Sequence, residues 1–388
     1  MNLPAKRYQI AFHLVLLLAL LAARRDQAVP QELLSASSAV TDALVPDSLD
    51  DGPHIYWRTS STAIAFYLCD NSVVERRFET NDTLRFTGFC DDEAWEYVIP
   101  AQSPGIEPYL YENVSRIIAI SDIHGEYEAF VDFLKVAGVI DDNLNWTWGD
   151  GHLVIDGDVF DRGDKVTECL WLIYRLEQEA RSAGGRVHFL LGNHETMVVR
   201  GDLRYVNEKY TGGIVRRARI NYADLYGPDM ELGRWLRTKN TVIKLNDVLF
   251  VHGGIPPRLV ELGVGLAELN ALSGETLDLR EYQIAFDDHL RKYYGHSDEG
   301  PFWYRGYHNA EDGRYLQATT DEVDAILRAY GAEAVVVGHS GVDQVMSLYE
   351  GRVFALDIPL PTLGAFQGLL WQGGQFYRVT GDGSLEAL

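Results

Sequence analysis

The 388-residue chain has three cysteines, no Cys-x-x-Cys pair and no Cys/His cluster, which excludes thiolate metal sites and dithiol redox chemistry. Basic residues are also short. The 34 Lys and Arg stand against 57 Asp and Glu, leaving a net charge of −23. A chain this acidic lacks the positive face that a phosphate backbone needs, so nucleic acid is excluded as a partner. Beyond the N-terminus no apolar run is long enough to span a bilayer. Neither an internal repeat nor a low-complexity tract is present, which excludes solenoid and disordered architectures. What remains, at 46% hydrophobic and 23% charged residues, has the composition of a globular chain.

The N-terminus has the pattern of a targeting segment. Lys6 and Arg7 precede an almost wholly apolar run from Ile10 to Ala23, a length that suits a signal-peptide core and is short for a membrane span. Residues 1–25 are expected to be a signal peptide. Arg24 and Arg25 leave an uncleaved anchor as the alternative, the one case in which a membrane is a partner. An exported location follows, whether periplasmic, secreted or in an endomembrane lumen. Residues 26–52 have the Ala/Ser/Asp/Pro texture of a linker, and residues 53–110 that of a small accessory β unit. Its strand-like runs begin at His54, Ala63, Arg85 and Trp95, with a turn at Asn81-Asp82. Cys69 and Cys90 both lie there and can pair in an oxidising compartment, whereas Cys169 sits in a helical stretch as an apolar filler. Asn81, Asn113 and Asn145 head Asn-x-Ser/Thr sequons, which matter only where the host glycosylates.

Residues 114–388 carry the chemistry. Five short apolar runs each stop at a glycine-flanked Asp, Asn or His. Arg116–Ile120 leads into Ser121-Asp122-Ile123-His124-Gly125, and Leu153–Ile155 into Asp156-Gly157-Asp158-Val159-Phe160-Asp161-Arg162-Gly163. Val187–Leu191 leads into Gly192-Asn193-His194-Glu195, Val248–Val251 into His252-Gly253-Gly254, and Ala334–Val337 into Gly338-His339. Runs of this kind read as buried strands, and strand ends deliver side chains to a shared crevice. Helical periodicity over Glu126–Ala137 and Thr167–Ala183 places the first three motifs in β-α-β-α-β order. Two Asp, an Asn and several His converging from five strand ends suit a pair of divalent cations such as Mn, Fe or Zn. Each fragment alone is weak, since an Asp-x-His pair or a His-Gly-Gly is usually an ordinary turn; the ordered set is specific.

This series resembles the signature of the phosphoprotein phosphatase family of metallophosphoesterases, in its bacterial-type, Shewanella-like branch. The resemblance implies an α/β (α+β) fold, a β-sandwich of two mixed sheets flanked by helices. It implies that Asp122, His124 and Asp158 hold one metal, and that Asp158 bridges to a second held by Asn193, His252 and His339. A water shared by two such ions ionises near neutral pH and supplies a hydroxide for direct in-line attack on phosphorus. His194 would then be the general acid, Asp161 its orienting partner, and Arg162 a planar fork on the phosphate. Pro301-Phe302-Trp303-Tyr304-Arg305-Gly306 resembles a second phosphate-contact segment of that branch, through Arg305. Asn193 would touch substrate as well as metal. The Tyr- and Arg-rich insertion Met197–Lys239 either caps the pocket or is a solvated helical hairpin. His152 and His188 read as structural, and His296 and His308 fall near the Arg305 loop. Leu356-Asp357-Ile358-Pro359 stands where eukaryotic members carry a different C-terminal loop, so their inhibitor sensitivity is not implied.

The implied substrate is a protein or peptide phosphorylated on Ser/Thr or Tyr. A dinucleoside polyphosphate hydrolase shares these motifs and is the nearest rival. A non-catalytic phospho-binding protein is the rival from another class, and the intact ligand set argues against it.

Overall fold

The computed structural model describes residues 49–80, 83–87, 90, 96–102, 105–287, 300–308, 315–359 and 366–388. The segment 1–25, nearly all of the linker, the Asn81-Asp82 turn and His296 lie outside them.

Two six-stranded sheets form the body. The first contains β6 (Leu110–Tyr111), β10 (Val242–Leu245), β11 (Val248–Val251), β12 (Ala334–Val337), β13 (Met346–Leu348) and β14 (Val353–Ala355), ordered β13-β14-β12-β11-β10-β6. The second contains β7 (Arg116–Ile120), β8 (His152–Ile155), β9 (Arg186–Phe189), β15 (Gly368–Gln372), β16 (Gln375–Val379) and β17 (Leu385–Ala387), ordered β17-β16-β15-β7-β8-β9. Both sheets are mixed, as the expected pair of mixed sheets requires.

The parallel pairings position the site. β7, β8 and β9 run parallel to one another, so the motifs that follow them emerge at one edge. β11, β12 and β14 are parallel in the other sheet and end together in the same way. β8, β11 and β12 are buried at every residue, which is why their sequences are unbroken apolar runs rather than alternations. The crossovers between β7, β8 and β9 contain α1 (Tyr127–Val136) and α2 (Val166–Ser182), close to the expected helices.

The N-terminal strands form a three-stranded sheet, β1 (Asp51–Thr59), β2 (Thr62–Cys69) and β3 (Ser72–Glu79), and a hairpin, β4 (Thr83–Thr87) with β5 (Glu96–Pro100). β1 opens at Asp51 rather than His54. β3 is not legible in the sequence: its residues are mostly exposed and charged, so no apolar alternation marks it. The Cys69–Cys90 disulfide closes this region, and Cys169 is free and buried in α2. Trp171 of α2 packs against Phe86 and Tyr97 and donates its indole N–H to Pro53 O at 3.0 Å. Trp57 donates to buried Glu231 at 2.6 Å, and Tyr174 of α2 reaches the same carboxylate at 3.0 Å. The N-terminal strands are thus packed onto the catalytic body through aromatic side chains whose polar ends are satisfied.

The insertion after α3 (Asn193–Arg200) is neither an open cap nor a solvated hairpin throughout. It runs through a π-helical turn at Lys209–Ile214 and a 3-10 turn at Tyr222–Tyr226, and it buries Tyr210, Tyr222 and Tyr226 completely. Arg204 pairs with Asp202, and Lys209 with Glu168. Among the described residues no helix is long and apolar enough to cross a membrane.

Candidate active site

Six of the motif side chains leave their strands through left-handed turns. Asp122, His124, Asp158, Asp161, Arg162 and His339 all have positive φ, between 48° and 72°. Left-handed backbone at non-glycine residues costs about 1–3 kcal/mol each and persists only where surroundings impose it. Here the motif loops impose it on one another. Asp122 N–H donates to Gly157 O, His124 N–H to Asp158 O, and Gly163 N–H to His124 O. The glycines make this crowding possible. A Cβ on Gly192 would stand 2.2 Å from Asp158 Oδ1, and one on Gly338 1.9 Å from Ser121 Oγ.

The six expected ligands come together. Asp158 belongs to two buried triads, one with His124 and His194 and one with His252 and His339. His252 Nδ1 donates to Asp156 O at 2.6 Å, which leaves its Nε2 facing Asn193 Oδ1 at 3.0 Å and Asp158 Oδ2 at 3.1 Å. His124 Nδ1 donates to Phe160 O at 2.7 Å, leaving Nε2 buried with no protein partner, 3.7 Å from Asp122 Oδ1. His339 Nε2 is likewise buried and unpartnered. Asp122 Oδ2 accepts the His339 N–H at 3.0 Å, which ties the two sheets together. Ring nitrogens and carboxylate oxygens crowd into one buried space, and two of those nitrogens, on His124 and His339, have no hydrogen-bond partner, an arrangement a cation stabilises. The residues fit divalent ions, and Asp158, common to both triads, would be the ligand shared by a pair of them.

Titration follows the same crowding. Burial holds His124 down to about 3, and burial together with His252 holds His339 well below the usual histidine range. Both rings are neutral, as ligands must be. Burial and the Asp357 carboxylate push Asp122 well above its ordinary value. Burial opposes the charge on Asp158, but His252 and His194 override it and keep that carboxyl ionised.

Residues 115–343 match the family model for calcineurin-like phosphoesterases. The chain belongs to that family. Shewanella-like protein phosphatase 2 of Arabidopsis thaliana is 31% identical over 206 residues, 42% of this chain and 53% of its own length. Shewanella-like protein phosphatase 1 of Plasmodium berghei is 29% identical over 253 residues, 64% and 68% of the two chains. The crystal structure of the cold-active protein-tyrosine phosphatase of a psychrophilic Shewanella species matches with a TM-score of 0.79 at 36% identity, covering 87% of this chain and 99% of that one.

Around the candidate metal ligands of this phosphoesterase stand the other expected groups. His194 Nδ1 lies 2.6 Å from Asp161 Oδ2, and its Nε2 lies 3.8 Å from Asp158 Oδ2. Burial opposes protonation of His194, yet Asp158 and Asp161 raise its pKa. Arg162 is exposed. Arg305 is half-buried, and its Nη1 donates to His339 O at 2.7 Å and Ser340 Oγ at 3.1 Å, which fixes the guanidinium beside a ligand. His308 Nε2 donates to Ser340 O, 2.8 Å away, next to that loop. His152 and His188 face each other at 2.9 Å and pack on Tyr111, outside the site.

Two acidic residues of the site escape the sequence reading. Asp357 follows β14 as the motif residues follow their own strands, and burial with the Asp158 charge pushes it up to about 6. The signal is present, an apolar Val353–Ala355 run ending in Leu356-Asp357, but it lacks the flanking glycine. Glu195 shows in the sequence only as the end of a motif. Its two buried oxygens accept the N–H groups of Gly192, Asp158, Val159 and Phe160 at 2.7–3.2 Å, so one carboxylate shapes the whole Asp158 loop. Glu195→Gln replaces one acceptor oxygen with a donor that opposes backbone N–H groups. We expect Mn²⁺ affinity to fall about 10- to 100-fold with the far-UV circular dichroism unchanged; unaltered affinity in a calorimetric titration would refute this role.

Proposed function

We propose that this chain is a metal-dependent phosphoprotein phosphatase that uses two divalent ions, Mn, Fe or Zn, to hydrolyse phosphomonoesters of protein side chains. The observation that carries the reading is the shared Asp158, with histidine ligands on both sides and the His194–Asp161 pair beside it. The Shewanella-like phosphatase relatives and the cold-active protein-tyrosine phosphatase support a phosphoprotein substrate, and the latter favours phosphotyrosine.

When bound, the ions neutralise phosphate charge and lower the pKa of water, favouring its attack on phosphorus. The protein side chains do the rest. Arg162 and Arg305 bind and orient the phosphate oxygens, Arg162 from the loop after β8 and Arg305 from its place beside the His339 loop. His194 holds a proton on Nε2 for the leaving oxygen, because Asp161 engages Nδ1 and favours the protonated ring. The products are the free side-chain hydroxyl and phosphate. His194 has a second geometric option, as a ligand in the triad with His124 and Asp158. Its tie to Asp161 favours the acid.

Metal-stripped full-length protein with Mn²⁺ restored should release phosphate from phosphopeptides, with phosphotyrosine preferred over phosphoserine and phosphothreonine. Hydrolysis of diadenosine tetraphosphate alone would transfer the chain to the rival hydrolase. His194→Ala should retain two ions by elemental analysis while losing about 10²- to 10⁴-fold in kcat. Loss of one ion would make His194 a ligand instead.

We also propose that the protein is exported. The basic and apolar N-terminal segment supports this, as does the Cys69–Cys90 pair, because disulfides persist in oxidising compartments. Residues 1–25 fused to a reporter active only outside the cytosol should switch that reporter on; a silent fusion would count against export.

A further inference from the structure

We infer that Tyr205 is a specificity-determining residue, an aromatic platform that favours an aryl phosphate, the ester of tyrosine, over an alkyl one. This rests on the phosphatase reading and names the residue that would select within it.

Tyr205 lies in the short segment between α3 and the π-helical turn, where most large apolar rings are buried. Its neighbours Tyr210, Tyr222 and Tyr226 are almost wholly hidden, yet Tyr205 is 48% exposed. Its backbone is held firmly. Tyr205 O accepts the Arg162 N–H at 2.9 Å, and Asn207 Nδ2 donates to Arg162 O at 2.8 Å. The strap from Tyr205 to Asn207 therefore grips both polar groups of the residue that carries the phosphate fork, at a backbone with φ 63°. Its ring packs tilted against His194, with centroids 5.4 Å apart, and His124 also packs on that imidazole, at 4.7 Å.

Two requirements of the reaction meet at this ring. The leaving oxygen must come within hydrogen-bond reach of His194 Nε2, since Nδ1 is engaged by Asp161. The fork of Arg162 must meet the same phosphate. Whatever is bonded to the leaving oxygen thus emerges beside the ring that touches His194 and whose backbone holds Arg162. A tyrosine ester places an aromatic ring there, which gains from offset or edge contact with Tyr205. A serine ester places a single methylene there and gains almost nothing.

A ring contact made in both the bound substrate and the transition state acts on KM, whereas loosening of Arg162 or His194 acts on kcat. The test uses Mn²⁺-loaded full-length protein with two peptides of identical flanks, one phosphorylated on Tyr and one on Ser. Tyr205→Ala should raise KM for the phosphotyrosine peptide by about tenfold with kcat nearly constant, and change the phosphoserine peptide less than about twofold. Tyr205→Phe, which keeps the ring, should restore the phosphotyrosine KM. Equal losses on both peptides, or a fall confined to kcat, would overturn the proposal and reduce Tyr205 to a support for Arg162. An unchanged ratio between peptides would overturn it as well. If the unsubstituted protein with metal bound cleaves neither peptide, the phosphatase reading itself fails.

Discussion

Too many carboxyl groups meet in one dry place. Asp122, Asp156, Asp158, Asp161, Asp357 and Glu195 are all buried around the same few ångströms of backbone, and burial disfavours the charge on each. Such a cluster must either take up protons, as the raised Asp122, Asp156 and Asp357 do, or hold positive charge among its members. The protein provides part of that charge through histidines, yet His124 and His339 are held neutral. Two divalent ions, as proposed, would supply the remainder, with Asp158 the carboxylate placed between them.

The fold is arranged to make this crowding tolerable. Parallel strands from two sheets end at one edge, so side chains far apart in sequence arrive together. The left-handed turns at Asp122, Asp158 and His339 aim them inward, and glycines at 157, 192 and 338 remove the side chains that would collide. Glu195 then locks the Asp158 loop by accepting four backbone N–H groups. Strain in the loops and charge in the pocket are thus balanced against the same small set of hydrogen bonds.

Much of the site is legible in the amino-acid sequence, for a physical reason. Completely buried parallel strands write themselves as unbroken apolar runs, and close approach of the loops demands glycine nearby, so Asp122, Asp158, Asn193, His252 and His339 all carry a visible flag. Asp357 stands at the same kind of strand end without the glycine and so escapes notice. Glu195 acts on backbone atoms, which leave no sequence trace. β3 is invisible because an exposed, charged edge strand has no apolar period. The insertion is ambiguous because Tyr205 and Tyr210 look alike as letters; only packing hides one and exposes the other.

The most direct test of this account is the metal content and phosphate release of Asp158→Asn. Asparagine keeps the shape but removes the shared negative charge. If Asp158 holds both ions, the variant should fall from two bound ions to one or none, with activity lost by more than the roughly 10- to 100-fold typical of outer partners. Two ions retained with unimpaired phosphate release would contradict it, because the carboxylate at the centre of the site would then be dispensable.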